Sequence, residues 1–301
     1  MILLWGPAND GPLAAVRAVL DRRGLEHRLI DQHRVERIAG VGGFGDLETD
    51  LQRVTAAYLR PDDWRRIPSV AQAGLASDLA RRACETQEAL VSWSEVATAR
   101  VVNRPSAMAS NFSKPYQLSL IRAAGFATPA TLVTTDPGAV LDFEKHHGAL
   151  IYKSVSGVRS VVSRLGAEHL DRLTDVAACP TQFQAYVDGD DYRVHVVGSR
   201  LFATRIRCAA TDYRYASRSG ARVEIIACAL PEEIAARCRG LAATLGLALT
   251  GIDLRLDRTG RWVCFEANPS PAFTFYEAHA AQPIAAAVAD LLAGLDPIDP
   301  A

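Results

Sequence analysis

Lysine is nearly missing from this chain. Among 33 basic residues in 301, it occurs only at Lys114, Lys145 and Lys153. The rest are arginine, so a surviving lysine marks a place where a compact point charge serves better than a planar fork. Lys145 lies in Asp142-Phe143-Glu144-Lys145-His146-His147, which reads as the solvated end of a helix. Lys114 and Lys153 have no such simple explanation. Neither sign of charge is in excess, since the formal net charge is -1. That excludes the basic footprint of a nucleic-acid or anionic-membrane binder.

Other absences narrow the class further. No apolar run is long enough to span a bilayer. The opening Met1-Ile2-Leu3-Leu4-Trp5-Gly6 has no basic lead and is too short for a signal peptide. Cys84, Cys179, Cys208, Cys228, Cys238 and Cys264 contain no Cys-x-x-Cys pair, so they read as free thiols of a cytoplasmic protein rather than a zinc site or disulfides. The P-loop pattern G-x-x-x-x-G-K-[ST] does not occur. Gly40-Val41-Gly42-Gly43-Phe44-Gly45 does fit G-x-G-x-x-G. A polar, Arg-rich segment precedes it where a strand is needed, and Asp46, Glu48 and Asp50 would repel a pyrophosphate, so it reads as a turn. At 49% hydrophobic and 22% charged residues, the chain is an ordinary globular one with room for two or three lobes.

Periodicity predicts an α/β chain with α+β lobes. Strands are expected at Ile2–Trp5, His27–Ile30 and Val54–Leu59, with helices over Pro12–Arg23 and Ser69–Ala89, an alternation that implies a parallel sheet. Asn103-Arg104-Pro105-Ser106 reads as the linker out of this first lobe. A helix over Pro115–Ala124, capped by Ser113 and ended by Gly125, follows it. Then come a strand at Thr131–Thr134, a helix opened by Asp136-Pro137 and closed by Gly148, and β segments at Ala149–Lys153, Ser160–Ser163 and Gln182–Val187. Tyr192–Cys208 reads as a hairpin turning at Gly198-Ser199. Pro231–Leu245 is a helix, Gly251–Leu256 and Trp262–Ala267 are paired strands, and Ile284–Leu295 is a closing helix.

The densest chemistry lies in that strand pair. Glu266 and Asn268 are two apart in a strand and project together, with Phe265 and Ala267 facing away. Asp253 on the neighbouring strand reaches the same point. Two carboxylates and an amide oxygen in apolar strands are hard oxygen ligands suited to magnesium. Lys153 ends an apolar strand and opens the small-residue loop Ser154-Val155-Ser156-Gly157-Val158-Arg159-Ser160, which can surround phosphates with a charge and backbone N–H groups. Lys114 starts a helix, where anions are favoured. Gln182 to Val187 reads as a strand crossing between lobes, able to meet an adenine edge through its backbone. Arg193, Arg205, Arg207 and Arg214 crowd one hairpin and the segment after it, a density that suits clamping of phosphate or carboxylate.

The order of these features resembles the ATP-grasp superfamily. Within it, the chain is similar to ligases that add glutamate to a ribosomal protein and to maturases of ribosomal peptides. The likeness is carried by Ser113-Lys114 with Gly125-Phe126-Ala127-Thr128-Pro129-Ala130-Thr131, by Gly189-Asp190-Asp191-Tyr192-Arg193-Val194, and by Phe265-Glu266-Ala267-Asn268-Pro269-Ser270-Pro271. It implies an ATP-grasp fold over residues 106–301, with a central lobe at 106–187 and a C-terminal lobe at 188–301, preceded by a small parallel-sheet domain over residues 1–105. It implies that Lys114 and Lys153 hold the α and β phosphates, that Gln184, Ala185 and Tyr186 lie against adenine, and that Asp191 sits near the ribose. Arg193 belongs to the implied catalytic set with Arg207 and Arg214, the latter two facing the γ-phosphate and the developing acyl phosphate. Asp253, Glu266 and Asn268 would hold magnesium, or manganese in its place. Two positions depart from the pattern: Ala185 stands where glutamate is usual, leaving adenine contact there to the backbone, and Arg159 and Ser160 stand where glycines are common.

The implied reaction joins a carboxylate to an amine, using ATP and passing through an acyl phosphate. The partners implied are a small-molecule or peptide acid and amine, with no nucleic acid and no membrane; relatives often form dimers or tetramers. A kinase on the same fold and a non-catalytic nucleotide-binding module are the competing readings. Arg205, Phe273 to Tyr276 and the Gly40 to Gly45 turn are candidates for substrate selection.

Overall fold

The computed structural model describes residues 1–37, 51–155, 162–208 and 223–295. Three sheets follow one another along the chain. The first is parallel, with strands β1 (Ile2–Gly6), β2 (His27–Asp31), β3 (Ala56–Leu59) and β4 (Arg100–Val102) in the order β2-β1-β3-β4. The expected strands are there, and β4 joins them just before Asn103. The helix Gly11–Arg22 starts at Asp10, whose carboxylate accepts the Leu13 N–H, and buries Leu13, Val16, Val19 and Leu20 against the sheet. The helical stretch expected over 69–89 is instead two helices, Pro68–Ala73 and Asp78–Val96. Gly74, at φ 86°, ends the first, and the Ser77 hydroxyl caps the second. The closing helix Ile284–Ala293 packs on this first sheet, sharing one apolar core with β1, β3 and the helix Gly11–Arg22.

The second sheet holds β5 (Thr131–Thr134), β6 (Leu150–Ser154), β7 (Ser163–Arg164) and β8 (Thr181–Ala185) in the order β5-β8-β6-β7. One face buries Leu150 and Phe183 with Val140 of the helix Pro137–His147. Lys153 is opposite Gln182 and Ile151 opposite Gln184, so alternation sends these four to the other face.

The third sheet is antiparallel. It contains β9 (Gly189–Val197), β10 (Arg200–Cys208), β11 (Val223–Cys228), β12 (Leu249–Asp257) and β13 (Trp262–Asn268), in the order β11-β10-β9-β12-β13. The β9–β10 hairpin turns at Gly198 and Ser199 as expected. One face packs Tyr192, Val194, Val196, Ile252 and Leu254 against the helices Lys114–Ala123 and Glu232–Thr244. The opposite face carries Asp191, Arg193, His195, Asp253 and Arg255, which alternate with those core residues. Ser113 occupies the N-cap position of the helix Lys114–Ala123, but its side chain makes no capping bond. Among the described residues no helix is long and apolar enough to cross a membrane.

Candidate active site

Asp253 on β12 stands directly opposite Glu266 on β13. Burial first, and then the Asp253 charge, push the Glu266 carboxyl above its ordinary range, while Lys153 and Arg193 pull it back. Two carboxylates held this close repel each other unless a cation or a proton lies between them. Arg193, opposite Asp253 in the β9–β12 register, donates from Nη1 to Asp253 Oδ1 at 2.6 Å. Its guanidinium lies across Gly251, where a Cβ would come within 2.2 Å of Nη2. Arg193 Nε points at Nε2 of His195 at 3.4 Å, and His195 packs edge-on against Tyr276. Burial, then the Arg193 charge, hold the His195 pKa well below its usual value, so the imidazole is neutral and can accept from Arg193.

A β-bulge decides how Glu266 points. Asp253 pairs with Glu266 but Leu254 pairs with Cys264, so Phe265 is an extra residue in β13. Cys264 and Ala267, three apart, consequently share one buried cluster. The expectation that Phe265 faces away from the carboxylates with Ala267 is therefore corrected. Phe265 meets the Arg255 guanidinium at 5.3 Å, and Arg255 lies on the Asp253 side of β12. Asn268 Oδ1 accepts the Ser270 N–H at 2.9 Å, which leaves that oxygen one further lone pair.

The two lysines converge from different elements. Lys114 Nζ donates to the Ser154 carbonyl at 3.1 Å, at the end of the strand that carries Lys153. Lys153 in turn acts on Glu266 across the cleft between the second and third sheets. In the crossing between those sheets, the Ala185 and Tyr186 N–H groups donate to the Ala130 and Ala149 carbonyls at 2.9 and 2.8 Å. Those two donors are spent within the protein. Gln184 is buried, with Nε2 on the Thr131 hydroxyl at 3.0 Å. The Tyr186 ring meets the guanidinium groups of Arg164 and Arg255, at 4.8 and 5.9 Å from its centroid. Asp191 accepts from Arg255 Nε at 2.7 Å.

Two residues expected at the site face away from it. Arg205 and Arg207 alternate with Ile206, which is opposite Asp191, so both point to the other face of β10. Arg205 pairs with Asp190, and Arg207 with Glu224 at 3.5 Å. Strand alternation thus turns Arg207 away from the face of the sheet that carries Asp253. Arg214, Arg159, Ser160 and the Gly40 to Gly45 turn lie outside the described residues. Of the segment Phe273 to Tyr276, Phe273 is fully buried and Tyr276 backs His195, while Phe275 is exposed.

Residues the sequence did not single out hold the site in place. Gln117, buried, pairs with both backbone groups of Ala267: Nε2 donates to the carbonyl at 2.9 Å and Oε1 accepts the N–H at 3.2 Å. Asn103 Nδ2 donates to the Leu249 and Pro269 carbonyls, both at 2.7 Å. Arg60 binds Asp10 through Nε at 2.6 Å and the Ser270 hydroxyl through Nη1 at 2.9 Å. The magnesium set passes a chemical test of fit. A half-buried carboxylate pair in which one member resists ionisation, with an amide oxygen two residues on, is a donor set that a hard divalent cation relieves. Among the described residues no three His, Cys, Asp or Glu side chains cluster, so a cation here would rest on two carboxylates and an amide.

Two antiparallel sheets in succession, one carrying Lys153 and the other the paired carboxylates that it acts on, define the class: this is the ATP-grasp fold, preceded by a small parallel-sheet unit. The chain resembles the peptide-modifying ATP-grasp ligases in particular. It is 29% identical to the ATP-grasp ligase PsnB, solved with its minimal precursor, at a TM-score of 0.81 over 98% of this chain and 99% of that one. The same ligase with precursor, magnesium and ADP superposes at a TM-score of 0.77. Among curated relatives, the chain is 28% identical to β-citrylglutamate synthase B of Homo sapiens over 214 residues, 66% of this chain and 54% of that protein. It is 27% identical to human N-acetylaspartylglutamate synthase A over 210 residues, 66% of this chain and 53% of that protein. The chain thus spans about half the length of the curated relatives it matches. No family model matches it.

Proposed function

We propose that the chain is an ATP- and magnesium-dependent ligase joining a carboxylate to an amine, with a peptide supplying at least one of the two groups. The observation that carries the reading is the Asp253–Glu266 pair, facing Lys153 across the cleft and braced by Arg193. In this reading residues 106–187 and 188–301 are the lobes that enclose the nucleotide, and residues 1–105 form the lobe that helps to hold the acceptor. Lys114 and Lys153 bind phosphate oxygens. Gln184, Ala185 and Tyr186 line the adenine end, and Asp191, fixed by Arg255, borders the ribose. Asp253, Glu266 and Asn268 would hold the cation, which would supply positive charge against the phosphates.

The chemistry is largely electrostatic. A substrate carboxylate attacks the γ-phosphorus, ADP leaves, and the acyl phosphate formed is attacked by the amine to give an amide and phosphate. Arg193 keeps positive charge beside the metal carboxylates. The lobes exclude water, which would hydrolyse the acyl phosphate. A peptide substrate is favoured over a free acid because the likeness to PsnB covers nearly the whole chain, whereas that to the small-molecule synthases covers two-thirds of it.

The test combines purified chain, ATP, magnesium and candidate precursor peptides encoded beside it, read by mass spectrometry. Loss of one water per ADP released is the expected product. A stable gain of phosphate would assign a kinase instead. Glu266→Gln is expected to lower turnover at ordinary magnesium by about a hundredfold or more, in line with the loss of a transition-state electrostatic contact; unchanged turnover would overturn the metal assignment.

A further inference from the structure

We propose that Gln117 is a positioning residue that sets the spacing between the phosphate-binding lysine and the metal-binding carboxylate, an inference that rests on the reading just given. The physical problem begins with β13, which is an edge strand. Its outer backbone groups have no strand to pair with, and an edge carrying a bulge is free to twist. Here one stretch of chain grips that edge on both sides of Glu266. The segment leaving the helix Lys114–Ala123 turns at Gly125 and bridges to Val263, with the Ala127 carbonyl accepting the Cys264 N–H at 2.8 Å. On the far side of the bulge, Gln117 uses its amide as a surrogate strand, giving Ala267 both a donor and an acceptor. Ala267 lies between Glu266 and Asn268.

Gln117 is also three residues beyond Lys114, on the same side of the helix. The amide pair therefore ties the backbone between two metal ligands to the helix turn that presents the lysine. Glu266 and Asn268 cannot rotate about the strand axis without breaking it, and the lysine cannot slide along the cleft without dragging the strand.

A control with the same geometry exists elsewhere in the fold. Gln32 is buried, and its amide grips Asp62 in the same two-bond fashion, Nε2 to the carbonyl at 2.7 Å and the N–H to Oε1 at 2.8 Å. It lies beside the parallel sheet and takes no part in the proposed site. The experiment titrates ADP into the full chain by calorimetry at stepped magnesium concentrations, with thermal melting of each variant in parallel. Gln117→Leu is expected to raise the half-saturating magnesium by about tenfold, as loss of an outer-shell partner does at metal sites, with Gln32→Leu unshifted at comparable loss of melting temperature. Gln117→Asn, which keeps the amide on a shorter stem, is expected to fall between them and carries the test if the leucine variant does not fold. Equal magnesium dependence in wild type, both Gln117 variants and Gln32→Leu overturns the inference alone. Absence of magnesium-dependent ADP binding in the wild type overturns the ligase reading, and the inference with it.

Discussion

Replacing Gly251 by alanine isolates the packing on which the carboxylate pair depends. A Cβ there would lie 2.2 Å from Arg193 Nη2, 2.6 Å from Cζ and 2.8 Å from Nε. The guanidinium cannot simply move aside. Its side chain is 7% exposed, bonded to Asp253 at 2.6 Å and backed by His195 and Tyr276. Overpacking costs about 1–3 kcal/mol, a lost charge-assisted hydrogen bond about 1.5–3 kcal/mol, and the smaller conformational freedom of the unfolded alanine chain returns about 0.4–1 kcal/mol. The net expectation for Gly251→Ala is a loss of about 2–5 kcal/mol in urea unfolding followed by tryptophan fluorescence. Gly240 provides the reference, because a Cβ there meets nothing within 4 Å. It lies inside the helix Glu232–Thr244, where alanine should add about 0.5–1 kcal/mol. A loss below about 0.5 kcal/mol at Gly251, within the scatter of surface substitutions, would refute the claim that Arg193 is wedged against that strand.

Two further outcomes follow from other parts of the molecule. Arg60 and Asp10 form an ion pair that is 9% and 22% exposed, so Arg60→Ala alone should cost about 3 kcal/mol by stranding a carboxylate, and Asp10→Ala, which also removes the helix cap, should cost at least about 1 kcal/mol less when added to Arg60→Ala than when made alone; strict additivity in the double-mutant cycle would argue that the pair is not coupled. At the β12–β13 turn, the Thr259 hydroxyl first, then the Arg261 and Thr259 backbone N–H groups, lower the Asp257 pKa to about 2. A carboxyl depressed in the folded state stabilises it above the ordinary value of about 4 and loses that contribution as pH falls toward the folded value. Wild-type stability should therefore decline between about pH 4 and pH 2 more steeply than that of Asp257→Ala; parallel curves would contradict it.

How much of this was legible beforehand can be followed residue by residue. The parallel sheet, the hairpin turning at Gly198 and Ser199, and the β12–β13 pair were readable because period-2 alternation and turn residues act locally. Asp253, Glu266 and Asn268 stood out because oxygen-bearing side chains in apolar strands need a partner. The lysines stood out because the rest of the chain prefers arginine. Local reasoning also misled. The stretch over 69–89 has a continuous helical pattern, yet Gly74 and Ser77 divide it.

Composition and spacing alone thus determined which side chains must find partners and which segments bury one face. Tertiary structure decided who those partners are. Gln117 meets Ala267 across 150 residues, Asn103 meets Pro269 across 166, and Arg60 meets Ser270 across 210. No periodicity within a strand or helix encodes such pairings, because each depends on how separate elements stack. The same holds for the bulge at Phe265 and the alternation that turns Arg207 away from the carboxylates. Both are matters of register between strands, settled only when the neighbouring backbone takes its place.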